Sequence, residues 1–138
     1  MSVDTVAAEE ARVRVVRVLD GTAHVAIPGT NYQLHLNVDD GGAWTTGPVS
    51  CVVHAAALKV HPTRGGGQFM EPVIGSPRII CGLLRSIDAK NHRLLVDAVI
   101  PMWIAVDETT DLEALHIGGL VTSYVASGAT MSVASTRD

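Results

Sequence analysis

Residues 78–107, RIICGLLRSIDAKNHRLLVDAVIPMWIAVD, constrain this chain more than any other stretch. They are rich in β-branched and aliphatic side chains, which suits a buried helix or buried strands alike. Gly82, the polar DAKN at 88–91 and Pro101 punctuate the run too closely for a long helix. It therefore reads as a meander: strands over 78–87 and 92–100, and a third after Pro101. A four-residue loop at 88–91 sets Ile87 opposite His92. On one side Arg85, Leu83, Cys81 and Ile79 then meet Leu94, Val96, Ala98 and Ile100; on the other, Ser86, Leu84, Gly82 and Ile80 meet Arg93, Leu95, Asp97 and Val99. Both sides are apolar in the middle, so the hairpin must be covered twice. One cover is the domain's own core. For the other the favoured expectation is a homo-oligomer, a symmetric partner seated on Ile80, Leu84, Leu95 and Val99; the alternative is cover within the monomer, by a second sheet made from residues 12–62 or by the 63–77 loop.

The same alternation organises the rest of the chain. Residues 12–19 read as a first strand whose pattern slips at Val15-Val16, the mark of a bulge. Asp20-Gly21 is a tight turn signal, and Pro28-Gly29-Thr30-Asn31 a second one. Between and after them lie strands over 22–27 and 32–38. A four-residue loop pairs Ile27 with Tyr32, Val25 with Leu34 and Ala23 with Leu36, an apolar face. The reverse face pairs Ala26 with Gln33, His24 with His35 and Thr22 with Asn37. Residues 49–61 read as one long strand. Its small Ala55-Ala56-Ala57 triplet invites a close neighbour or a bend between two sheets. Residues 63–77, with Gly65-Gly66-Gly67, are expected outside the regular sheet. A short helix is expected over 109–116 with Thr109 or Thr110 as N-cap, then two last strands over 120–126 and 130–133.

The expectation is an all-β fold: a small barrel or sandwich of about eight to ten short strands. Residues 1–11 read as a flexible tail, 12–134 as a single domain and 135–138 as a frayed end. The order in 78–134 is strand, strand, strand, short helix, strand, strand. It resembles the oligonucleotide/oligosaccharide-binding (OB) fold, a five-stranded barrel with a helix between its third and fourth strands. The likeness covers under half of the 138 residues and is one of element order alone. Residues 12–62 show a similar series, which suggests a duplication without residue identity.

Composition narrows the function classes. A formal charge of −4 argues against a general nucleic-acid binder, leaving a local basic patch as the one route to that chemistry. No apolar run approaches the ~20 residues of a membrane span, and the N-terminus lacks the basic and apolar regions of a secretory signal. Cys51 and Cys81 sit among aliphatic residues in strands and read as buried free thiols of a reducing compartment, the cytoplasm. The chain has no G-x-S-x-G, H-E-x-x-H or C-x-x-C, so no reaction or cofactor is implied and a non-enzyme is expected.

Three constellations carry candidate chemistry. His24 and His35, opposed on neighbouring strands, are the metal candidates, short of the third ligand zinc requires. Arg12, Arg14 and Arg17 form a basic strip that, with Arg64 and the glycine loop, could hold a phosphate. Asp97, on an apolar face, needs a partner or serves as a ligand contact. The aromatics are scattered and make no visible stacking platform. The reading is a non-catalytic, oligomeric assembly or interaction module, with an OB-type barrel for a small anionic ligand or oligonucleotide as the alternative.

Overall fold

A computed structural model describes residues 9–38 and 44–133. The expectations for residues 1–8, 39–43 and 134–138 fall outside that range. The all-β reading holds. In chain order the strands are β1 (Ala11–Leu19), β2 (Thr22–Ala26), β3 (Gln33–Val38), β4 (Gly47–Thr63), β5 (Phe69–Glu71), β6 (Ile74–Gly75), β7 (Ile79–Asp88), β8 (Arg93–Ala98), β9 (Ile100–Ala105), β10 (Leu120–Val125) and β11 (Thr130–Val133). A single 3-10 turn, Leu112–Ala114, is the one helical element among the described residues.

The architecture turns on β4, whose 17 residues exceed what either neighbouring set of strands can pair alone. Cys51 has Ala11 of β1 on one side and Val133 of β11 on the other. Three residues on, His54 has Trp103 of β9 on one side and Thr130 of β11 on the other. The first half of β4 thus closes a five-strand circuit, β1–β2–β3–β11–β4 and back to β1. Its second half closes another, β4–β10–β7–β8–β9 and back to β4. The triplet Ala55-Ala56-Ala57 lies at the handover, where small side chains let two sets of neighbours converge. Directly after it Leu58 is an extra residue in the ladder to β10, 69% exposed. A bulge there bends the strand out of one circuit and into the next.

One continuous core fills both circuits. Val13, Val25, Leu34, Leu36 and Val53 come from the first, and Ile80, Leu84, Val96, Met102 and Ile104 from the second. Local pairing in the first circuit follows the sequence pattern. The β2–β3 register is Thr22 with Asn37, Ala23 with Leu36, His24 with His35, Val25 with Leu34 and Ala26 with Gln33. The β1–β2 ladder shifts between Val15 and Arg17, leaving Val16 as the bulged residue.

The β7–β8 hairpin departs from its expected register. Asp88 pairs with Arg93, so the loop is 89–92 and not 88–91. Asp88 still makes the turn, but from inside the strand. Its carboxylate accepts from the Asn91 backbone N–H and side-chain amide and from Arg93 Nε. The ladder then shifts at Arg85, and Leu84 meets Val96 while Leu83 meets Asp97. This exchanges the faces of β7. Ile80 and Leu84 are 0% exposed and point into the core; Leu95 is 5% exposed, and Val99 packs against the core. The four residues expected to receive a partner subunit are thus covered within the monomer. Gly82 is required where the two strands press together. A Cβ there would lie 2.5 Å from the Asp97 carbonyl oxygen and 2.7 Å from Ala98 Cβ.

Two further expectations change. Residues 63–77 are not all outside the sheet: β5 pairs with β7, and β6 with β3. Met70 anchors this segment in the core, and its N–H donates to the Tyr32 hydroxyl, 3.1 Å. The expected helix over 109–116 is only the 3-10 turn, capped by Asp111, which accepts from the Glu113 N–H. Thr109 and Thr110 cannot cap it because both hydroxyls donate to Asp107. The strand between β10 and the C-terminus also differs in role. β11 joins the first circuit, and β4 takes the fifth position in the second.

The exchanged faces set a direct test. Leu84→Ala should cost about 2–5 kcal/mol, the range for emptying a closed core site. Leu83→Ala, at a half-buried position, should cost less than half of that. Urea denaturation of both variants measures the order; the reverse order would return β7 to the register read from sequence.

Candidate functional site

The doubled valine in RVRVVR decides where the arginines go. On a regular strand Arg12 and Arg14 share one face and Arg17 lies on the other. The bulge at Val16 inserts one residue and brings Arg17 opposite His24, onto the outer face with Arg12 and Arg14. Val13 and Val15 remain buried beneath them. Arg12 stands across from Ser50 of β4, and Arg14 between Pro48 of β4 and Ala26 of β2.

The row continues across the sheet as Arg17, His24 and His35. The two imidazoles are stacked, with centroids 3.9 Å apart and planes 13° from parallel. Arg17 Nε donates to His24 Nδ1 at 3.1 Å. An Nδ1 that accepts carries no proton, so neutral His24 holds its proton on Nε2. Desolvation, then the nearness of His35 and of Arg17, holds the His24 pKa below the ordinary imidazole value. Asn37 and Gln33 flank His35 on β3, and Thr22 donates its hydroxyl to Asn37 Oδ1, 3.3 Å. Among the described residues the ion pairs are Arg85–Asp97, 3.1 Å, and Arg93–Asp88, 2.9 Å. Neither touches this face, so among the described residues no carboxylate pairs with its cations.

Of the residues marked in the sequence, Arg12, Arg14, Arg17, His24 and His35 thus share one face. Arg64 does not join them. It follows the far end of β4, whereas Arg12 pairs near the start of that strand. Asp97 is also elsewhere, on β8, held by Arg85. The metal reading of the histidines gains no third ligand. Stacked rings point their nitrogen lone pairs in parallel and not toward one ion. Among the described residues no group of three or more His, Cys, Asp or Glu could share a metal.

A second polar cluster escaped the sequence reading. The Arg93 guanidinium lies 3.8 Å over the Trp103 ring, and Trp103 Nε1 donates to Glu9 at 2.7 Å. His54 pairs with Trp103 across the strands. Burial and Arg93 lower its pKa, against an opposing pull from Glu9. Its members come from Glu9, β4, β8 and β9, so no local spacing announces it. An open cleft of about 280 Å³ lies between the second half of β4 and residues 107–115, lined by Lys59, Asp107, Thr109 and Asp111 among others. Asp107 there is occupied by Thr109 and Thr110. Both thiols are buried and free, and burial pushes Cys51 up to about 11, far from a reactive thiolate. No helix is long and apolar enough to cross a membrane among the described residues.

Comparison of the chain with protein-family models, with curated proteins and with solved structures finds no match.

The lowered pKa values give stability a signed pH dependence. His24 and His54 are harder to protonate folded than unfolded, so the unfolded chain binds more protons just below pH 6.5. Their contribution is complete above that pH and declines as pH falls toward the lowered values. Asp88 and Asp107, also lowered, keep theirs until pH falls below about 3.8. Urea midpoints should therefore drop between pH 7 and pH 5, then again in stronger acid. A His24→Gln, His54→Gln double variant should flatten the first drop and leave the second.

Proposed function

We propose that the protein is a non-catalytic interaction module of OB type, two five-stranded barrels sharing β4, which engages an anionic partner through the outer face of β1–β3. The shared row of Arg12, Arg14, Arg17, His24 and His35, which meets no carboxylate among the described residues, carries this reading. Strand order supports the OB likeness. In the first circuit a three-strand meander is closed by a strand parallel to its third, β11 on β3, while β1 and β4 are antiparallel. The second repeats the pattern with β7, β8 and β9 as meander and β4 parallel to β9. Its 3-10 turn falls between the third and fourth strands, where an OB barrel carries its helix. OB barrels present the face of their second and third strands to ligands, and here that face is β2–β3 with the stacked histidines.

Closed circuits also favour a face over an edge as the working surface, since most strand edges are already paired. The non-catalytic part rests on the buried thiols and on a sequence without a nucleophile motif. Buried free thiols support a reducing compartment, the cytoplasm. An oligomeric form of the module loses the support of Ile80, Leu84, Leu95 and Val99, which are covered within the monomer.

At pH 7 and low salt the protein should be retained on a heparin column despite its charge of −4, and elute as salt rises. Reversing Arg12, Arg14 and Arg17 to Glu should send it through unbound, while Arg64→Glu should elute near the wild type. Wild-type protein in the flow-through would overturn the proposal.

A further inference from the structure

We propose that the Arg17–His24–His35 row, with Arg14 beside it, is a binding site for a phosphate oxyanion. This rests on the anionic-partner reading and names the chemistry its central residues select. Three features of the row point to it. The first is preorganisation. Arg17 Nε is committed to His24 Nδ1, and the stack on His35 fixes the ring from its face. A surface arginine and a surface histidine normally sample many rotamers, and ordering them opposes binding. Here the free protein holds both side chains in one hydrogen-bonded, stacked arrangement.

The second is donor polarity. With Nδ1 accepting from Arg17, His24 presents Nε2–H, a donor, on the side of the ring away from Arg17, where it meets a different phosphate group of a polyanion from the one the guanidinium holds. Arg17 keeps its two terminal nitrogens, which have no protein partner among the described residues. That planar pair matches two oxygens of a phosphate better than one point charge would. The third is the balance of charge. Groups facing the row are Arg17, Arg14 and Arg12 from β1, and the neutral Thr22 and Ala26 from β2 and Gln33 and Asn37 from β3. Glu10, just before Arg12, and Asp20, in the β1–β2 turn, make no ion pair with these arginines among the described residues. A solvated polar face would need no such bond between arginine and histidine. It would also place carboxylates among its cations, as this chain does around Arg85 and Arg93.

Phosphate oxygens could come from free phosphates or from a nucleic-acid backbone. Both arms can be read in one experiment. Sodium tripolyphosphate and a hexathymidylate are titrated into the full chain at pH 7 and constant ionic strength, with sodium acetate as the control anion. The readout is the histidine ring and backbone amide NMR signals. The expected result is saturable movement centred on Arg17, His24 and His35 with at least one phosphate probe and little with acetate. Movement with tripolyphosphate alone assigns the site to free phosphates; movement with both assigns it to phosphate groups in general; movement with the oligonucleotide alone assigns it to a phosphodiester backbone.

Arg17→Ala should weaken binding about tenfold, the loss expected for a charge-assisted hydrogen bond. His24→Phe keeps a stacking ring and removes the donor, and should weaken binding severalfold. Arg17→Lys keeps the charge without the fork and should fall between wild type and Arg17→Ala, which covers the case of an alanine variant that folds poorly. Absence of saturable movement up to tens of millimolar probe, movement centred elsewhere, or affinities unchanged in these variants would each overturn the site. If heparin retention by Arg12, Arg14 and Arg17 survives such a result, only the oxyanion site falls; if retention is also absent, the broader reading falls with it.

Discussion

Every strand here depends on β4 being shared. A backbone strand must satisfy hydrogen-bonding groups on both edges or leave them to water. β4 does so four ways, with β1 and β9 along one edge and β11 and β10 along the other. Cutting it at the alanine triplet would leave two incomplete circuits and neither core enclosed. At the crossing Ala55 is buried and Ala57 packs against the core, while Ala56 faces solvent.

The parts of this arrangement legible in the sequence are the local ones. The β2–β3 register could be read because the turn and both alternating strands demand the same pairing. The bulge at Val16 announced itself as a broken alternation. β7–β8 misled because two local signals were each displaced. Asp88 directs the turn from within the strand, and a second irregularity at Arg85 is hidden in a run that is apolar on both sides. Closure was out of reach: β11 on β3, β9 on β4 and β6 on β3 join residues far apart, and no neighbouring residue encodes such a pairing. The candidate site divides the same way. Arg12, Arg14, Arg17, His24 and His35 are within a hairpin or two of each other and assemble. Arg64 was joined to them by charge alone, and the fold separates it; Asp97, read separately, finds its partner in Arg85.

The two-sided apolarity of the meander has an internal explanation. Ile80 and Leu84 line the core. On the other side Cys81 is 1% exposed beside Phe69 of β5, the short strand supplied by residues expected in a loop. Leu95 is paired with Trp103, and Arg93 lies over that ring. β5 thus extends the sheet beside the start of β7, along the edge β8 does not reach, and Arg93 stacked on Trp103 stands beside Leu95. Arg93 contributes through its flat guanidinium and is at the same time paired to Asp88, so its charge and its surface are both used.

That contrast bears on which arginines are available for function. Arg93 and Arg85 each meet a carboxylate, and Arg93 also an aromatic ring, so removing them should disturb packing or turn geometry first. Arg17 instead binds a histidine, which offers it no negative charge, and the histidine in turn loses proton affinity. Such a contact stabilises neither group's charge. What it does is orient them, side by side, on a face where one inserted valine has aligned Arg17 with Arg12 and Arg14. A fold that needed Arg17 only for solubility could have left the alternation regular, with that residue on either side. The bulge costs a ladder position and commits the strand to a local twist. Its visible return is the alignment of Arg17 with His24 and His35, and that is the physical ground for placing function on this face before any other.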